Sequence, residues 1–112
     1  MKIDSETLEN GVLKISLAGR MDVQGTQEID LKFNGYTATQ RAVIVDMSGV
    51  DFLSSIGIRT LLLAAKAILH RGGKMVLFNP DATVTNILKM AGIDTMIPIC
   101  QSLDEARAAV AS

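Results

Sequence analysis

Residues 42–79, "AVIVDMSGVDFLSSIGIRTLLLAAKAILHRGGKMVLFN", carry the pattern that decides the fold. The run at 42–47 is β-branched and nearly all apolar, as expected of a strand buried on both faces. A helix is expected over about 55–70, with one of the adjacent serines Ser54 and Ser55 at its start. Gly72 and Gly73 stop it, since glycine readily takes the left-handed position after a helix. "KMVLFN" at 74–79 then reads as a further strand. Strand, helix and strand in this order demand a right-handed crossover and a parallel pair.

Upstream, "TLENGVLKISLAG" contains Asn10-Gly11, a hairpin signal because both residues tolerate positive φ. Beyond it Leu13, Ile15 and Leu17 alternate with Lys14 and Ser16, the period of a half-buried strand. Residues 2–8 and 11–18 are therefore expected as an antiparallel pair. In "MDVQGTQEIDLKFNGYTAT", the spacing of Ile29, Phe33 and Tyr36 predicts a helix over about 25–37. Downstream, Val84, Ile87, Leu88 and Ala91 mark another helix, with Asp81 as N-cap and Gly92 as stop. "MIPIC" is expected as a short last strand, its Pro98 pointing to a sheet edge. Ser102 and Glu105 form a capping box that opens a final helix. The fold class is thus α/β: a single domain with a mixed, mostly parallel sheet, an N-terminal antiparallel hairpin and about four helices. In such sheets sites gather beyond the carboxyl ends of the parallel strands. The loops at Gly19–Asp22 and at Ser54-Ser55 are expected on one rim.

The chain has 112 residues, enough for one core and too few for two. A net charge of -1 gives no footprint for nucleic acid or for an acidic membrane, and 4% aromatics leave no stacking platform for bases. The sequence "MKIDSETLENG" lacks the apolar core of a signal peptide, and the apolar window near 56–69 is interrupted by Arg59 and Lys66. A single cysteine, Cys100, forms no internal disulfide and fits a reducing compartment. A cytoplasmic location is expected.

Most catalytic chemistry lacks its residues. A serine nucleophile needs a base within hydrogen-bond reach. The one histidine, His70, lies on the same expected helix as Ser55, roughly 22 Å away at the helical rise. "RGGKM" lacks the glycine spacing and the Ser/Thr of a phosphate loop, and one His with one Cys makes no metal site. Catalytic residues, metal and cofactor are all expected to be absent. The serines remain, and they have two readings. One of them caps the helix, a role worth on the order of 1 kcal/mol over alanine. Alternatively a phosphoryl group on Ser55 would add roughly -1.5 to -2 charges near the positive end of the helix. The fold could accept that charge locally; a docked protein with acidic or apolar groups there could not.

"VIVDMSGVDFLSSIGIRTLL" resembles the signature segment of the STAS domain family, as in bacterial anti-sigma factor antagonists. "GRMD" at 19–22, "GGKMVLFNP" at 72–80 and "ILKMAGIDTMIPI" at 87–99 extend the resemblance over nearly the whole chain, so that residues 1–112 read as one STAS domain. The resemblance implies a partner-switching protein, not an enzyme. Unphosphorylated, such a protein binds an anti-sigma factor that is also a serine kinase; phosphorylated by it, the protein lets go, and a PP2C-type phosphatase resets it. By position the acceptor is Ser55, two residues before the motif glycine Gly57, with Ser54 as second choice. Asp22 corresponds to the family's loop aspartate near the acceptor. Asp22, Ser54, Ser55, Ile56, Gly57 and Arg59 are the expected partner-binding residues. Ser54 stands where the family usually has Asp, and Ile56 where it has Ser or Thr; neither change removes the acceptor hydroxyl. Arg59 reads either as solvated helix surface or as a partner for an acidic group or the phosphate. Leu61 to Leu63 cannot all face inward on one helix, so an apolar patch is expected beside the serines. The alternative is a non-switching STAS module that scaffolds a larger assembly. A ligand-binding STAS domain has no recognisable pocket chemistry in the sequence.

Overall fold

The computed structural model describes residues 1–111. Five strands form one sheet in the order β1-β2-β3-β4-β5: β1 is Lys2–Thr7, β2 Leu13–Met21, β3 Ala42–Leu53, β4 Lys74–Phe78 and β5 Ile99–Cys100. Only β1 and β2 run antiparallel, and the other neighbours are parallel. The four helices are α1 (Val23–Thr37), α2 (Ser55–His70), α3 (Ala82–Met90) and α4 (Leu103–Ala111). The expected mixed α/β architecture is the observed one.

Asn10 and Gly11 turn the first hairpin with φ of 64° and 74°, the conformation their pairing predicts. One face of the sheet packs Ile15, Leu17, Val43, Val45 and Leu77 against Phe33 of α1, Leu61 and Ile68 of α2, and Val84 and Leu88 of α3. The other face packs Ile44, Val76 and Cys100 against Ala106 and Val110 of α4. Burying side chains of this size is worth roughly 1.5–3 kcal/mol each, which is what fixes the helices to the sheet.

Four boundaries differ from the sequence reading. β2 continues through Arg20 to Met21, and α1 accordingly begins at Val23 with Asp22 as N-cap. β3 does not end at Met47 but runs on to Leu53. Its alternation breaks twice, because the register against β2 slips between Ser16 and Ala18 and again between Gly19 and Arg20. Each slip is a bulge with an extra residue on β3, so the period of two is lost there. At the first, Asp46 Oδ1 accepts from Ser48 N at 3.0 Å and from Ser48 Oγ at 2.7 Å, holding the bulged chain. The last strand shrinks to Ile99–Cys100, at the sheet edge that Pro98 indicates.

Candidate partner-docking and modification site

After its two bulges β3 finishes level with β2: Arg20 pairs with Phe52 and Met21 with Leu53. Both chains then turn into helices, and a backbone carbonyl ties the turns together. Met21 O accepts from Ser54 N at 3.0 Å and from Ser54 Oγ at 2.8 Å. The expected single rim is therefore present, with Asp22 and Ser54 beginning α1 and α2 side by side.

The two serines are differently employed. Ser54 is half-buried and extended (φ −90°, ψ 171°), and its Oγ accepts from Gly57 N at 3.4 Å while donating to Met21 O. It is the cap. Ser55, the first helical residue of α2, is exposed, and its hydroxyl makes no hydrogen bond to a described residue. Gly57 is buried at the closest approach of α2 to the rim. A Cβ there would lie 2.8 Å from Met21 Cγ and 3.0 Å from Leu53 Cδ1, distances that no side chain tolerates without displacement. Gly57 is thus a spacer that lets the helix start close to the strands and leaves Ser55 outermost.

Asp22 has both carboxylate oxygens engaged. Oδ1 accepts from Gly25 N at 2.8 Å as the cap of α1, and Oδ2 lies 3.3 Å from Arg20 Nε. Arg20 in turn lies over the Phe52 ring, 4.0 Å from its centroid. A guanidinium on an aromatic face and beside a carboxylate is held by both attractions. Sequence reasoning missed Arg20 in this role. Its spacing of two from Asp22, which places both on one side of an extended chain, was the available signal.

Around Ser55 the surface is partly apolar. Ile56 is 38% exposed and Leu63 54% exposed, whereas Leu61 is fully buried and Leu62 half-buried, so the expected apolar patch centres on Leu63. Ile56, Arg59, Thr60 and Leu63 form one wall of a shallow groove, with Gln27 and Asp30 of α1 opposite. Arg59 is exposed and makes no ion pair with a described residue. His70 is exposed in the last turn of α2, at the far end from Ser55. Cys100 is buried on the α4 face; burial pushes its thiol up from 9.0, with the Glu105 charge adding to the effect. Among the described residues no group of three His, Cys, Asp or Glu could hold a metal ion, and no helix is long and apolar enough to cross a membrane.

Comparison with known proteins gives one family. The profile described as the STAS domain matches residues 4–106. BtrV of Bordetella bronchiseptica, which carries the provisional name of anti-sigma factor antagonist, is 26% identical over 110 residues, covering 97% of this chain and 94% of that protein. A solved anti-sigma-factor antagonist (STAS) domain protein of Planctomyces limnophilus is 25% identical, with a TM-score of 0.85 over 98% of both chains. The Bacillus cell fate determinant SpoIIAA, solved in its phosphorylated form, shares the fold at 19% identity with a TM-score of 0.70, covering 97% of this chain and 99% of that one.

Proposed function

The chain belongs to the STAS domain family, and from that membership we propose that it is an anti-sigma factor antagonist controlled by phosphorylation of Ser55. It acts by binding in the cytoplasm, not by catalysis. In the unmodified state the rim formed by Asp22, Ser54, Ser55, Ile56, Gly57 and Arg59 docks an anti-sigma factor that is also a serine kinase. That kinase transfers the γ-phosphoryl group of ATP to Ser55. The Ser55 Oγ–P bond forms, the bond between the γ-phosphorus and the ADP oxygen breaks, and the hydroxyl proton passes to a base of the kinase. A PP2C-type phosphatase reverses the modification by hydrolysis.

One observation carries this reading: two adjacent serines with divided duties. Ser54 holds the cap, so the Ser55 hydroxyl stands in solvent with no internal role. Ser55 is accordingly the acceptor and Ser54 is not; modifying Ser54 would break its bond to Met21 O and uncap α2. A dianion on Ser55 lies near the positive end of α2, where a surface charge gains about 0.3–1 kcal/mol. The domain therefore keeps its fold while its docking face changes sign. The curated relatives' names as anti-sigma factor antagonists and a phosphorylated protein of this fold support the same reading.

The test incubates the chain with ATP and an anti-sigma serine kinase that binds it, then maps phosphate by mass spectrometry. Modification is expected at Ser55 and at no site in Ser55→Ala, which still binds the kinase. Ser55→Asp is expected to weaken the complex about a hundredfold, close to 3 kcal/mol. A Ser55→Asp variant that binds as tightly as the parent overturns the switch.

A further inference from the structure

Ser55 and Arg59 stand one turn apart on α2, and both are exposed. Residues four apart are neighbours on a helix surface, with Cβ atoms about 5–6 Å from each other. Helical side chains lean toward the N-terminus, so the Arg59 guanidinium can reach back over the turn that carries the Ser55 hydroxyl. The other charged groups at this end of the molecule leave Arg59 unclaimed. Arg20 and Asp22 hold each other, Nε to Oδ2, at 3.3 Å. Asp30 of α1 lines the same groove as Arg59 without forming an ion pair, and its Oδ1 accepts from Asn34 Nδ2 at 3.3 Å. Asp51, exposed near the end of β3, makes no ion pair with a described residue. The next cation along α2 is Lys66, roughly 16 Å from Ser55 at the helical rise.

We propose that Arg59 clasps the phosphoryl group once Ser55 is modified, a step that rests on Ser55 being the acceptor. The guanidinium donates two parallel hydrogen bonds to phosphoryl oxygens across one helical turn, and no covalent bond changes. An anion followed four residues later by a cation is the favourable order on a helix, because it agrees with the macrodipole. Arginine's planar fork matches phosphate oxygens two at a time, which a lysine cannot do. The fold does not have to move, since both residues already share one helix face; the cost is the ordering of one arginine side chain. In the unmodified chain Arg59 is open to an acidic group of a partner. In the modified chain it is occupied within the domain. Phosphorylation thus alters the rim twice, adding roughly -1.5 to -2 charges at Ser55 and withdrawing an unpaired cation.

The whole chain with phosphoserine installed at position 55 during translation tests the clasp without a kinase. Its failure is therefore distinct from a failure of Ser55 as the acceptor, which mass spectrometry of the kinase reaction reads separately. Phosphorus NMR follows the second phosphate ionisation, ordinarily near about pH 6. With Arg59 present the midpoint is expected at least about 0.3 pH unit below that of Arg59→Gln, a twofold change in proton affinity and the size an i,i+4 ion pair supplies. Arg59→Lys is expected to restore part of the difference, and about 1 M sodium chloride, which screens beyond about 3 Å, to shrink it. The Arg59 Nε–H resonance is expected to shift with the same midpoint as the phosphate. An arginine that only solvates the helix would move neither signal. Equal midpoints with Arg59 and with Arg59→Gln would assign any lowering to the start of α2 and overturn the clasp. An Arg59 Nε–H resonance indifferent to the phosphate ionisation would overturn it as well.

Discussion

Two neighbouring serines with the same side chain serve different ends because of one backbone carbonyl. Met21 O draws in Ser54 through both its amide and its hydroxyl, and what is left for Ser55 is solvent. This division gives a stability prediction that does not involve a partner. Ser54→Ala should cost about 1 kcal/mol through loss of the cap, whereas Ser55→Ala should stay within roughly 0.5 kcal/mol of the parent. Urea unfolding followed by circular dichroism measures both. Equal costs at the two positions would mean the cap is shared. The sequence made the pair visible and left open which serine did which. Cap identity depends on ψ at a single residue and on a carbonyl thirty-three positions earlier, and neither has a letter in the sequence. Arg20 went unread for a related reason: its Asp22 and Phe52 partners meet only once β2 and β3 are in register.

At the scale of elements, α2 joins the core to the proposed docking rim through one helical period. Leu61, Ala64 and Ile68 face the sheet, and Ile56 and Leu63 stand away from it. If the proposed kinase docking is right, Leu63→Lys is expected to weaken that complex at least tenfold while the unfolding midpoint moves little, since its side chain is already half in water. Surface plasmon resonance with the kinase reads the first, and thermal melting the second. A large drop in melting temperature would instead assign Leu63 to the core. The extent of α2 was readable because apolar spacing, serine and the glycine pair all agreed. β3 was readable only to Met47. Past that point two bulges shift the faces, and a periodic pattern with two phase errors resembles a loop. Asp22 as the start of α1 was obscured likewise, since Gly25 in the first turn reads as a helix breaker; in the structure it is buried, and its amide is Asp22's capping donor.

Across the whole molecule, the sheet order follows the chain order, so each crossover returns beside the strand it left. That topology puts the β2–α1 and β3–α2 turns on one edge, and it was legible from the order of elements alone. The shallow groove between α1 and α2 was not. It depends on how Gln27 and Asp30 come to lie opposite Arg59 and Leu63, which is a matter of packing and not of local pattern. The opposite face supplies a prediction of its own. Cys100 has its thiol pushed up by burial first and by Glu105 second, so the folded state holds that proton more tightly than the unfolded chain. Its contribution to stability is complete below 9.0 and is lost as the pH rises through the higher folded value. Urea titrations between about pH 8 and 10.5 should show an alkaline decline that is shallower in Cys100→Ala. Identical slopes would show that other groups govern that limb.

The doubled bulge in β3 means that this strand uses two more residues than β2 to cover the same distance. Alignment of the serines with Asp22 is thus set by a count, more than by which side chains do the counting. Removing one residue between 46 and 53 would draw the start of α2 back by about 3.3 Å and invert every side chain beyond the gap. Natural variants of this segment should keep its length even where exposed positions such as Asp51 change, the mark of a ruler.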